Sequence, residues 1–187
     1  MTDVALSDRQ IIDVLAAHGL RTHVVEFADI PRYRTPTDLL AGDEAVVIYV
    51  RTGPSFGHWT TLFRRGAELE VFDSAGAAID QDLLFLPPAE RVALHETQPF
   101  LLEMLEDPAR NTEQVEVNGM RYQRLTDAVN TCGRHVIVRL LHRNLSSEQY
   151  DAFMRGAKRR GETYDQLVVR LTNPLLALRA PHFVLAA

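Results

Sequence analysis

The sequence has 187 residues, 46% of them hydrophobic, enough apolar material for one compact domain with a sizeable core. A formal net charge of -5 argues against a chain that coats nucleic acid, and a single cysteine excludes an internal disulfide framework. With no apolar run of about 18 residues and no secretory leader, the composition predicts a soluble, intracellular, non-secreted protein that does not enter membranes, folded as a single domain over residues 1–187. The charge is unevenly placed: 11 basic residues face 21 acidic ones up to Thr131, against 9 and 4 from Cys132 onward. The basic end includes Arg134, Arg139, Arg143, Arg155, Lys158, Arg159 and Arg160, which read as solvated helix faces and secondarily allow a weak DNA contact.

In chain order, Ser7 with Gln10 forms a capping-box pattern ahead of Ile11, Ile12, Leu15 and Ala16, predicting a helix that ends at Gly19. Residues 22–27 read as a short strand, and "TPTDLLAG" as one helical turn. "AVVIYV" from Ala45 is a continuous β-branched run suited to a strand buried on both faces. "HWTTLF" from His58 and "ELEVF" from Glu68 flank Arg64, Arg65 and Gly66, the pattern of a hairpin, so a small antiparallel sheet is expected. From Ala78 to Glu106, Pro87, Pro88 and Pro99 divide the helical pattern into two short helices. "EQVEVNGMRYQ" alternates around Asn118-Gly119, which predicts a second hairpin. After Cys132 the chain reads as helical: one helix to about Asn144, a second capped by Ser146 or Ser147 and running to Arg160, and a third from about Tyr164 that closes before Pro174. Strands in the middle and helices at both ends give an α+β class.

The chemistry centres on "NTCGRHVIVRLL", where Cys132 opens an apolar helix and Gly133 follows it. Unpaired N–H groups and the positive dipole at a helix start favour thiolate over thiol, and glycine admits close backbone approach of a substrate. The same residue type on an apolar helix also serves as a plain core side chain. A nucleophilic thiolate needs a base, and His58 in "GHW" supplies an imidazole that titrates near neutrality. Asp73 in "VFDS" returns beside His58 if the hairpin forms, and a carboxylate there would fix the imidazole tautomer; Asp73 equally suits a turn leading to Gly76. Asp80 and Asp82 are lower-ranked acids because they lie beyond that turn. His18, His23, His95, His135, His142 and His182 have plainer readings, as helix-end, surface, helix-face or tail residues, and no Cys/His cluster stands at metal-ligand spacing.

The order "GHW", "FDS" and "NTCG" resembles the cysteine peptidases of the adenovirus protease (adenain) and Ulp1 group, in which His, acid and Cys occur in this order. The likeness covers roughly residues 45–155 and looks nearest to adenain-like proteases of large DNA viruses, virophages and related elements. It implies Cys132 as nucleophile, His58 as base, Asp73 as orienting acid, and Gln123 with the Gly133 region as the oxyanion hole. Trp59 matches the tryptophan that narrows the channel over the scissile bond and favours glycine beside it. Gln123 stands farther before Cys132 than the family pattern has it, and Asn130 is its substitute.

The implied function is a virion-maturation endopeptidase that cleaves capsid or core precursors at sites with small residues, acting in the virion or the host cytoplasm or nucleus. Removal of ubiquitin- or SUMO-like modifiers is the alternative within the class; an acetyltransferase with a similar triad and an inactive binding domain are the others. No cofactor or metal is implied. A peptide activator held through a disulfide, as in adenovirus protease, is not available to a chain whose single cysteine is assigned to catalysis.

Overall fold

The computed structural model describes residues 5–53, 56–124 and 129–178. Helix α1, Asp8–Ala17, starts on the predicted capping box: Gln10 N–H donates to the Ser7 hydroxyl at 3.3 Å and Ser7 N–H donates to Gln10 Oε1 at 2.9 Å. The strands are β1 (Thr22–Glu26), β2 (Ala45–Arg51), β3 (Gly57–Arg65), β4 (Glu68–Phe72) and β5 (Gln114–Val117), and they lie in that order in one five-stranded sheet. Only β2, β3 and β4 are mutually antiparallel; β1 runs parallel to β2 and β5 parallel to β4. The small antiparallel sheet expected from the sequence is therefore the centre of a mixed one.

The outer pairs are parallel because their connections are long crossovers rather than turns. Between β1 and β2 come a 3-10 helix, Phe27–Arg32, and α2, Pro36–Leu40. Between β4 and β5 come a second 3-10 helix, Gln81–Phe85, then α3, Pro88–Leu94, and α4, Phe100–Glu106, the two short helices predicted from the prolines. Among the described residues no return strand follows β5, and Asn118-Gly119 forms no hairpin; Asn118 is buried and serves the end of β4 instead.

Both sheet faces are covered, giving a mixed α+β fold. Val46, Ile48 and Val50 of β2 join Leu62, Leu69 and Val71 under the first 3-10 helix, α2 and α4. Ala45 and Val47 point the other way, with Trp59, Phe63 and Phe72, toward α1 and the three C-terminal helices, α5 (Cys132–Leu141), α6 (Ser147–Ala157) and α7 (Tyr164–Ala177). This alternation on a doubly buried strand explains the unbroken apolar run in β2.

Helix α5 packs on β3 between α1 and α7 and is buried from Cys132 through Leu140. Its cations are therefore not solvated, against the reading of the basic end as exposed helix faces. Arg139 is fully buried; its guanidinium donates to Glu70 on β4 at 2.8 and 2.6 Å and lies over the rings of Phe63 and Tyr150. Arg134 is buried too, donating to Thr172 Oγ1 at 2.6 Å and Asn173 Oδ1 at 2.9 Å. Arg143 pairs with Glu44. Helix α6 is capped by Ser146, one of the two serines the sequence offered, and ends at Ala157, short of Arg160, whereas α7 runs through Pro174 to Ala177. Pro174 costs only the bond to the Arg170 carbonyl near the helix end, so the expected stop does not occur.

Candidate active site

Three elements deliver the predicted triad to one place. In the β3–β4 register Thr61 stands opposite Phe72, so Asp73, one step beyond the strand, falls level with Thr60 and diagonal to His58 on the same face. The side chains meet there: His58 Nε2 and Asp73 Oδ1 are 2.6 Å apart and both groups are largely buried. The Cys132 thiol, on the first residue of α5, lies close enough to His58 to act on its pKa. With Nε2 turned to the carboxylate, Nδ1 is the ring nitrogen left for the thiol.

Asp73 makes both contacts its sequence allowed, to the histidine and within the turn. Its Oδ1 also accepts the Ala75 N–H at 2.7 Å, and its carbonyl accepts the Gly76 N–H at 3.0 Å, so the turn and the histidine contact share one carboxylate. The backbone of Asp73 is held in turn by Asn118, which sequence reasoning missed. Asn118 Oδ1 accepts the Asp73 N–H and Asn118 Nδ2 donates to the Asp73 carbonyl, both at 2.7 Å, so this amide acts as a strand partner where β5 has ended. The Asn-Gly pair carried a turn signal strong enough to hide that use.

Burial alone pulls the His58 pKa down, but hydrogen bonds with Asp73 and Cys132 and their charges outweigh it, leaving His58 well above its ordinary value. Asp82, also buried, has Oδ2 4.0 Å from His58 Nε2. Burial lifts its pKa to about 6, His58 working against the rise and Asp73 with it. Asp80 turns away from the imidazole, accepting the Leu102 N–H at 2.9 Å, and burial carries it to about 7. Of these three carboxylates, Asp73 is the one hydrogen-bonded to His58.

His58, Asp73 and Asp82 are also the group among the described residues whose donor atoms lie close enough, within 4.8 Å, to suggest a metal ion. The 2.6 Å His58–Asp73 separation is a hydrogen bond; two ligands of one tetrahedral ion stand about 3.3 Å apart. A cation there would have to break the contact that orients the imidazole.

On the other side of β3, Trp59 is buried and its Nε1–H donates to the Leu6 carbonyl at 3.1 Å. Its ring lies against Tyr49 at 4.5 Å between centroids, and both line an open cleft of about 870 Å3 with Leu6, Phe56, Asn130 and Cys132. Two glycines keep this wall in shape. A Cβ on Gly57 would fall 2.1 Å from Cζ of Tyr49, and one on Gly133 would fall 3.0 Å from Cδ1 of Ile11 and 3.2 Å from Cδ1 of Trp59. Gly133 therefore has a packing reason beside the one read from sequence.

Gln123 is buried rather than open to the cleft. Its Oε1 accepts the Ser74 hydroxyl at 2.7 Å and its Nε2 donates to the Val129 carbonyl at 3.2 Å, which leaves one amide hydrogen without an acceptor among the described residues. Asn130 is exposed and lines the cleft beside Cys132. Among the described residues, no acceptor takes the backbone N–H of Cys132 or Gly133, and Thr131, which caps α5, makes no side-chain bond to the helix.

No family model matches the chain. It is similar to the "Uncharacterized protein V9" of Sputnik virophage, 27% identical over 152 residues that cover 81% of this chain and 83% of the relative. Two crystal structures of the ASFV pS273R protease, one of them selenomethionine-labelled, are similar at 16% and 15% identity over 88% and 90% of this chain, with TM-scores of 0.44 and 0.46. The chain spans 66% of the length of those solved proteases.

Proposed function

We propose that this chain is a cysteine endopeptidase in which Cys132 is the nucleophile, His58 the acid–base and Asp73 the orienting carboxylate. The observation that carries the reading is the His58 imidazole, bound to Asp73 at 2.6 Å and close enough to the thiol at the start of α5 to interact with it. The Asp73 contact and the raised pKa of His58 support a protonated imidazole beside Cys132. The thiolate attacks the scissile carbonyl, and the oxyanion meets the N–H groups of Cys132 and Gly133 and the spare amide N–H of Gln123. His58 Nδ1 protonates the leaving amine. Water, deprotonated by the same nitrogen, then attacks the thioester, releases the acyl group as the acid and expels the thiolate beside the reprotonated His58.

The cleft narrowed by Trp59 and Tyr49 suits a substrate with glycine or another small residue at the cleavage point. The relative in a virophage supports a viral setting, and the activity we assign is maturation of capsid or core precursors in the virion or infected cell. Because Cys132 is the single cysteine and serves as nucleophile, an activator held by a disulfide is not open to this chain, and activity without one is expected. The test is incubation of the purified chain alone with a library of glycine-containing peptides, read by mass spectrometry. Cleavage absent in Cys132→Ala and His58→Ala is expected. Cleavage that survives in Cys132→Ala, or an inactive chain that a partner peptide rescues, contradicts the assignment or its independence of an activator.

A further inference from the structure

We propose that Asp165 is a positioning residue for the oxyanion side of this site, an inference that rests on the peptidase reading above. Asp165 lies in the first turn of α7, just after Thr163, which caps that helix with Gln166 in a capping box, so its backbone is fixed independently of the cleft. The residue is 1% exposed, and both carboxylate oxygens are in use. Oδ1 accepts the Thr131 hydroxyl at 2.6 Å and faces His135 Nε2 at 3.3 Å; Oδ2 accepts the Arg124 backbone N–H and the Arg124 Nε–H, each at 3.3 Å. One carboxylate thereby ties down the neighbour of Gln123 and the neighbour of both Asn130 and Cys132.

Those contacts change what the start of α5 presents. A threonine before a helix ordinarily turns its hydroxyl oxygen to an N–H of the first turn. Thr131 does not: its backbone lacks the extended conformation of such a cap and its hydroxyl is turned to Asp165, while its carbonyl still accepts the Arg134 and His135 N–H groups at 2.9 and 3.0 Å. The cap residue is thus anchored through Asp165, and the N–H groups of Cys132 and Gly133 have no acceptor among the described residues. His135, one turn along α5 and fully buried, fixes the carboxylate from a third direction. Burial lowers its pKa, against the opposing influence of Asp165, so the neutral ring donates Nε2–H. Orientation is what such a tether supplies: donors aimed at an oxyanion act only if held, and a displacement of about 1 Å costs on the order of 100-fold in rate.

The experiment compares the wild type with Asp165→Ala, Thr131→Val and Thr131→Ser in two assays: peptide turnover and alkylation of Cys132 by iodoacetamide, which uses the thiolate but no oxyanion donor. We expect kcat to fall about 10–100-fold in Thr131→Val and further in Asp165→Ala, KM to stay within about 3-fold, and Thr131→Ser to recover most of the loss. Alkylation should remain fast and dependent on His58 in all of them. Unchanged kcat in Thr131→Val, a loss that appears in KM alone, or alkylation falling in parallel with kcat would overturn the inference. Should Asp165→Ala fail to fold, the threonine pair decides the matter, since it differs by one hydroxyl. Slow alkylation already in the wild type would instead remove the peptidase reading itself.

Discussion

Replacing Asp73 by asparagine removes a charge while leaving an oxygen in its place. An amide oxygen at position 73 can still accept His58 Nε2–H and the Ala75 N–H, and the Asn118 contacts involve only the backbone, so the turn and the ring orientation survive. The charge-assisted bond, worth about 1.5–3 kcal/mol, becomes a neutral one worth about 0.5–1.5 kcal/mol, a loss of roughly 1–2 kcal/mol of support for the imidazolium. At about 1.36 kcal/mol per pKa unit, the His58 pKa moves down by about one unit. Burial already opposes the charged ring, and its hydrogen bonds with Asp73 and Cys132 hold it up, so weakening one of them acts in that direction. The imidazolium persists only below its pKa; Asp73→Asn should therefore shift the alkaline limb of kcat/KM down by about one pH unit and lower the plateau about 5–30-fold. The assay is peptide turnover across pH 5 to 10 for both proteins. An unmoved alkaline limb with a rate within about two-fold of wild type would refute this account of Asp73.

Gly57→Ala should swing the Tyr49 ring off the cleft wall, since the new methyl falls 2.1 Å from its Cζ; KM is expected to rise about 5–10-fold, with Tyr49→Ala matching it and with little change in Tm. Glu70→Ala leaves the Arg139 guanidinium buried without its carboxylate, at a cost of about 3–5 kcal/mol, read as a fall in Tm of about 6–20 °C; a fall under about 3 °C would contradict it. Asp82 and Asp80, raised by burial to about 6 and about 7 from 3.8, hold protons in the folded chain that the unfolded chain has released. Stability contributed by these groups must then decline as pH rises from about 4 to 7, so Tm should drop between pH 5 and 8 and drop less in Asp82→Asn; equal slopes in the two proteins would be the contrary result.

The core strands were legible because their patterns are local. The β-branched run in β2, the Arg-Gly turn between β3 and β4 and the two Ser capping boxes each specify their element within a few residues. His58 and Asp73 could be paired from the sequence for the same reason, since a short hairpin fixes their register. What could not be read depends on the return of distant chain. Whether β5 joins β4 parallel or folds back on itself is decided by a crossover some 40 residues long, and Asn118 takes its role only once that crossover is in place. Arg139 looks like a surface cation until Glu70, 69 positions away, meets it under Phe63 and Tyr150. Asp165 is as opaque in sequence: its partners Arg124 and Thr131 lie 41 and 34 positions earlier.

The central claim is that Cys132 and His58 form a poised pair, and alkylation of Cys132 at about pH 5.5, followed by intact mass, tests it most directly. An unassisted thiol with a pKa of about 8.5 is roughly one part in a thousand thiolate at that pH, whereas a thiolate paired with an imidazolium is mostly ionised. Labelling of the native protein hundreds of times faster than of His58→Ala is the predicted result. Equally slow labelling of the two proteins would contradict it, and would leave Cys132 an ordinary buried thiol in a fold that does something else.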